Sequence, residues 1–191
     1  MAKMISALII FAFVNAFYVD AFFHLPNFGS LRDMYAALEN DKPKEYLDAH
    51  NQIRLALGVP PLTWDQSLER HSRKYANRQA HICHLHHSHG AYGENLAWEL
   101  YDEATPRQIV QIFIDEQANY DIVAGVCRCP PLSKDCMCGH FTQIIWRTTE
   151  RVGCAEVNCK GDRGKLVVCS YDPRGNVIGQ HPLHPLPHKD D

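Results

Sequence analysis

The chain has 191 residues, 46% of them hydrophobic and 21% charged, with eight cysteines and a formal net charge of −3. That length suits one folded domain, and a composition near the globular average argues against a disordered, collagenous or coiled-coil chain. With 19 Lys and Arg against 22 Asp and Glu, no surplus of cations is left to neutralise phosphates, which argues against a nucleic-acid partner.

Lys3 precedes an apolar run from Ile5 to Val14, and small residues follow at cleavage-like spacing, Val14-Asn15-Ala16 and Val19-Asp20-Ala21. This is the layout of a secretory signal peptide over residues 1–21, cut after Ala16 or Ala21. Asn15 and Asp20 interrupt the run before it reaches the roughly 20 apolar residues of a membrane anchor. The expectation is an extracellular, secreted monomer with no transmembrane segment after cleavage. In that oxidising compartment an even count of eight cysteines implies up to four disulfides. No Asn-x-Ser/Thr glycosylation acceptor is present.

Residues 22–40 read as a leader. From Lys42, the residues Tyr46, Leu47, His50, Ile53 and Leu57 recur at three- and four-residue steps, with Pro43 in the first turn and Gly58 as a stop; they predict an amphipathic helix. Val59-Pro60-Pro61 breaks it. A second helix is expected over Asp65–Ala80, with Leu68, Tyr75, Ala76 and Gln79 on one side, and a third from Thr105-Pro106, carrying Ile109, Val110, Ile112 and Phe113. The period then changes: Phe141–Trp146, Val152–Val157 and Leu166–Tyr171 read as β-rich runs. Helices followed by strands predict an α+β layered domain with a mainly antiparallel sheet, spanning residues 41–181, and a Pro/His-rich tail over 182–191.

The cysteines carry geometric information. A hairpin of the last two runs, centred between Gly161 and Asp162, sets Cys154 opposite Cys169, within disulfide reach. Cys159 lies near the turn and must look elsewhere, with Cys83 as the unassigned cysteine outside the middle cluster. That cluster, Cys127-Arg-Cys129 to Cys136-Met-Cys138, is symmetric, so two nested bridges satisfy all four residues; the rival reading is a zinc site, favoured less because structural zinc sites use wider spacing and reducing surroundings.

Gly139-His140-Phe141-Thr142-Gln143-Ile144-Ile145-Trp146 and Val168-Cys169-Ser170-Tyr171-Asp172-Pro173-Arg174-Gly175-Asn176 resemble the two signature motifs of the CAP superfamily, which takes in cysteine-rich secretory proteins, venom allergens and plant pathogenesis-related class 1 proteins. Ala49-His50-Asn51 with Arg54, Leu62-Thr63-Trp64-Asp65, and His87-Ser88-His89-Gly90 running into Tyr92-Gly93-Glu94-Asn95-Leu96-Ala97 support it, and the plant branch fits best. The resemblance implies a three-layer α-β-α sandwich and three family disulfides: Cys83 with Cys159, Cys154 with Cys169, and one pair in the middle cluster. The fourth pair departs from the six-cysteine plant pattern.

The resemblance also implies a central cleft holding His87, Glu94, Glu116 and His140, whose imidazoles and carboxylates suit a divalent metal such as zinc. The plainer reading is a hydrogen-bonded cluster bracing the cleft. His81, His84, His86, His87 and His89 crowd one segment, read as an exposed loop cluster before a second metal site. Ser88 beside His87 lacks the elbow motif of a Ser–His hydrolase. Phe141, Ile144, Ile145 and Trp146 read as core and sheet, and Phe113 and Tyr120 as possible borders of a lipid cavity. The resemblance implies a defence-type protein that binds sterol or another lipid, with antimicrobial effect, rather than one that turns a substrate over. The alternatives are a metal-assisted protease or hydrolase using the His/Glu cluster, and a precursor releasing a signalling peptide from Pro173. No cofactor is required beyond a possible zinc ion.

Overall fold

The computed structural model describes residues 41–100, 104–130, 133 and 136–184, together with Ser30. The signal peptide, the leader apart from Ser30, and residues 185–191 of the tail lie outside the described residues.

Among the described residues, four helices and a four-stranded sheet make up the domain. Helix α1 spans Lys42–Ala56, strand β1 Thr63–Trp64, α2 Gln66–Gln79, β2 Gly93–Glu99 and α3 Pro106–Asp115. A 3₁₀ turn over Glu116–Asn119 leads to the short strands β3, Tyr120–Asp121, and β4, Val126–Cys127; then come α4, Gly139–Ile144, β5, Arg151–Asn158, and β6, Lys165–Asp172. The main sheet has the order β1-β5-β6-β2, antiparallel except for the β1–β5 pair.

Local chemistry sets the helix ends. Asp65 Oδ1 accepts from the Ser67 and Leu68 amides at 2.7 and 3.3 Å. Thr105 and Gln108 form a reciprocal capping box ahead of α3. Gly58, with φ +65, lets the chain turn left-handed after α1, which few side chains tolerate.

The sheet's pleat divides the core in two. Val152, Cys154, Val167, Cys169 and Tyr171 face α1, α3 and α4 through Tyr46, Ala49, Ile109, Val110, Phe113, Phe141 and Ile144. Leu96, Leu166 and Val168 face the other way, onto Tyr75 and Ala76 of α2. The result is the expected three layers. Helix α2 lies so close to β5 that a Cβ on Gly153 would sit 2.2 Å from the Glu69 amide nitrogen.

The hairpin register matches the cysteine argument, with Cys154 opposite Cys169 and Asn158 opposite Lys165. All eight cysteines are paired, as Cys83–Cys159, Cys154–Cys169, Cys127–Cys138 and Cys129–Cys136. Disulfide sulfurs are no longer thiolates, so the zinc reading of the middle cluster falls and the nested reading stands.

Two expectations need correction. Phe141–Trp146 is not a strand: its first four residues lie in α4, and Phe141, Ile144 and Ile145 are fully buried. A short apolar run carries no period that separates a buried strand from a buried helical turn. Ile112 does not join the apolar stripe of α3; it is 46% exposed while Ile109, Val110 and Phe113 are buried.

Candidate functional site

The four cleft residues come from a loop, a strand, the 3₁₀ turn after α3 and the start of α4, and they meet as two histidine–carboxylate pairs. His87 Nδ1 lies 2.9 Å from Glu94 Oε1, and the same oxygen accepts the Ser88 amide at 2.9 Å. His140 Nδ1 lies 2.7 Å from Glu116 Oε1, while Glu116 Oε2 accepts the amides of His140 and Phe141 at 2.8 and 3.3 Å. Glu116 therefore supplies the first amides of α4 with an acceptor that no local side chain provides. Asn95, next to Glu94 on β2, donates from Nδ2 to the His140 carbonyl at 3.0 Å and ties the two pairs together.

An ionised carboxylate only accepts, so each Nδ1 carries a hydrogen, and in the neutral ring Nε2 keeps its lone pair. This is the arrangement in which a carboxylate orients a histidine for a metal. The donor types therefore fit zinc, with His87 and His140 offering Nε2 and Glu94 and Glu116 fixing the rings or adding oxygen. The donors are not gathered at one point, because no three of these four side chains bring ligand atoms within 4.8 Å of one another among the described residues.

The pairs differ in setting. Glu94 is nearly buried and its ring partner His87 half-exposed, whereas both His140 and Glu116 are largely covered. The bond to Glu94 raises the His87 pKa above its ordinary 6.5, against the pull of burial. Burial pushes the Glu94 carboxyl up, but the His87 ring and the Ser88 amide and hydroxyl together outweigh it and hold the pKa below the usual carboxylate value.

His87 and Glu94 open onto a cavity of about 470 Å³, whose other walls include Tyr92, Gln143, Arg174 and Asn176. These four wall residues went unassigned in the sequence reading. They lie inside quoted motifs, but residue type alone does not separate a cleft wall from a packing position. Gln143 also fastens the segment after β6: its Oε1 accepts the Gly175 amide at 3.0 Å. Thr142 donates to Asn176 Oδ1 at 2.7 Å, and Thr149 donates to the Pro173 carbonyl at 2.9 Å. A peptide beginning at Pro173 is thus held on α4 and the turn after it.

Ser88 accepts the Gly90 amide at 3.2 Å, and no Ser88–His87 ring bond exists among the described residues, which leaves the Ser–His hydrolase reading without its geometry. In the histidine-rich loop, His86 and His89 meet edge to face at 5.9 Å without a third ligand beside them among the described residues. Phe113 is fully buried, with its ring 4.8 Å from that of His140. Tyr120 borders a shallow cavity beside the Cys127–Cys138 bridge.

A second apolar recess lies between α1 and α3, with a volume of about 290 Å³. Ala49, Ile53, Ala56 and Ile114 line it together with Gln52, Arg107 and Gln111, and Arg107 donates to Gln52 at 3.0 Å. No described helix is long and apolar enough to cross a membrane.

Comparison with known proteins agrees with this architecture. The model of the CAP, or cysteine-rich secretory protein, family matches residues 47–171. Pathogenesis-related protein 1C of Nicotiana tabacum is 45% identical over 139 residues, covering 73% of this chain and 79% of the relative. Pathogenesis-related protein 1 of Arabidopsis thaliana is 42% identical over 142 residues, covering 74% and 83%. Among solved structures, Na-ASP-1 aligns with a TM-score of 0.62 at 22% identity, over 75% of this chain and 41% of that one. NaASP2 with Zn2+ aligns with a TM-score of 0.58 at 22% identity, over 75% and 85%; at this identity the likeness is one of fold.

Proposed function

The chain belongs to the CAP family, within its pathogenesis-related class 1 branch, and from that premise we propose that it is a secreted defence protein that binds sterol or another amphipathic lipid, with antimicrobial effect following from that capture. The recess between α1 and α3 carries the lipid reading. Its lining mixes the aliphatic Ala49, Ile53, Ala56 and Ile114 with the polar Gln52, Arg107 and Gln111, which could meet a lipid's head group. A hollow that combines aliphatic walls with a few polar groups is how small amphipathic ligands are held. Secretion is supported by the signal-like opening segment and by four disulfides, which persist in oxidising compartments.

Titration with a fluorescent sterol and a fluorescent fatty acid tests the reading. Saturable binding is expected, weakened about tenfold or more in Ile53→Glu, since burying an aliphatic side chain is worth about 1.5–3 kcal/mol. Ile53 is only partly buried, so the variant should still fold. Absence of saturable binding by the unaltered protein would end the lipid reading.

The two histidine–carboxylate pairs favour a second property, binding of a divalent metal such as zinc by His87, Glu94, Glu116 and His140. Bound there, zinc would supply a Lewis acid; the chain's own carboxylates orient the rings and hold the Nδ1 protons. Protons compete for the same ring nitrogens, and the raised His87 pKa makes that competition begin above 6.5. Calorimetry should therefore show zinc affinity falling at least about tenfold between about pH 7.5 and 5.5. No heat of zinc binding at neutral pH would remove the metal from the proposal and leave the pairs as braces.

A further inference from the structure

We propose that the outer face of α2 is a docking surface for a linear acidic polysaccharide, a polymer bearing a carboxylate on each sugar. Leu68, Ser72, Tyr75 and Ala76 turn into the core, which leaves Arg70, Arg73, Lys74, Asn77 and Arg78 outward along a shallow trough. Arg70, Lys74 and Arg78 are spaced four residues apart, so cations recur about every 6 Å along the helix axis. The helix holds four cations and one acid in a chain whose net charge is −3, so its field is opposite in sign to that of the whole molecule.

The cations are incompletely spent within the protein. Arg73 pairs with Glu69 at 2.9 Å, and the Arg78 guanidinium lies 5.5 Å from the centre of the Tyr75 ring. Arg70 and Lys74 have no partner among the described residues, and the polar Asn77 lies between Lys74 and Arg78. Such a row suits a ligand whose own charges repeat. No large exposed hydrophobic residue lies on α2, whereas a helix that docks on a bilayer presents an apolar face. A hydrated polymer therefore fits better than a lipid surface. The choice of a sugar polymer over nucleic acid rests on the secreted reading.

The test is titration of the full secreted chain with polygalacturonate at low ionic strength, beside its fully methyl-esterified form and phosphatidylserine vesicles. Binding to the charged polymer is expected, weakening as salt rises, with none to the esterified polymer. The double variant R70Q/K74Q should bind about tenfold more weakly, while K44Q/R128Q, with the same net charge, should stay within about twofold. Unchanged urea midpoints confirm that both variants fold. Equal losses in the two variants, undiminished binding of the esterified polymer, no binding at all, or capture of vesicles in place of the polymer would each overturn the proposal. Lipid binding in the α1–α3 recess is read by a separate assay. Polymer binding by a chain that cells retain would count against secretion alone.

Discussion

Arg54→Met is expected to cost about 3–5 kcal/mol of folding stability, among the largest effects open to a single substitution in this chain. The Arg54 side chain is fully buried on α1, with no carboxylate paired to it among the described residues. Instead its guanidinium donates to four backbone carbonyls: Pro60 at 2.7 Å, Ile144 at 2.8 Å, and Trp146 and Thr149 at 2.9 Å. Those carbonyls belong to the break after α1, to the last residue of α4 and to the stretch between α4 and β5, so one side chain fixes two irregular segments at once. Burial lowers its pKa to about 10, still high enough to keep the charge at neutral pH. Methionine fills similar space but strands the carbonyls, each at about 1–3 kcal/mol. Arg54→Lys keeps the charge but lacks the planar fork that spans all four acceptors, so it should recover only part of the loss. Urea unfolding of the oxidised protein, followed by tryptophan fluorescence, reads both values. A methionine variant within about 1 kcal/mol of the parent would refute this account.

Arg54 was visible in the sequence as a motif residue, and its role was not. A helical arginine three or four places from apolar neighbours reads as a solvated charge, because nothing local says that distant carbonyls will close around it. Asn51 behaves alike: it donates to the Leu62 carbonyl at 3.0 Å and accepts the Leu62 amide at 2.7 Å, pinning the entry to β1. The cysteines were legible for the opposite reason. A disulfide demands near-opposition, so the symmetric placing of Cys154 and Cys169 about one turn carried the hairpin register directly. Strand β2 escaped notice because Glu94 and Asn95 break its apolar alternation, and those two residues face the histidine pairs. The site itself was legible only through the family motifs. Four ligand-type residues from four separated segments have no spacing in common, and only the folded sheet and α4 bring them into pairs.

The buried polar groups around Arg54 also carry a pH dependence that the surface does not. His50 is fully buried; its Nδ1 lies 2.7 Å from the Tyr46 carbonyl and its Nε2 2.8 Å from the Tyr171 hydroxyl. The carbonyl can only accept, so Nδ1 holds the hydrogen, and Nε2 accepts from Tyr171, whose oxygen in turn accepts from Asn95 at 3.1 Å. A second ring proton would point at the hydroxyl hydrogen and break this chain. Burial lowers the His50 pKa to about 4; the Tyr46 carbonyl opposes the shift and the Arg54 charge adds to it. The unfolded chain takes up the proton near pH 6.5, the folded chain only near 4. Between those values the unfolded state binds more protons, so stability is full above 6.5 and falls with pH by about 1.4 kcal/mol per unit, reaching about 3 kcal/mol. The lowered carboxyls of Glu94 and Glu156 lose their contributions only below their unfolded value of 4.5, so the upper part of the window is largely His50's own. His87, half-exposed and shifted upward, acts weakly in the opposite sense. His50→Gln should begin less stable at pH 7.5, yet lose little more on acidification to pH 5, so the two urea-midpoint curves converge. Parallel curves would show that His50 titrates no differently in the folded and unfolded chain and would remove it as the acid-sensitive element of the core.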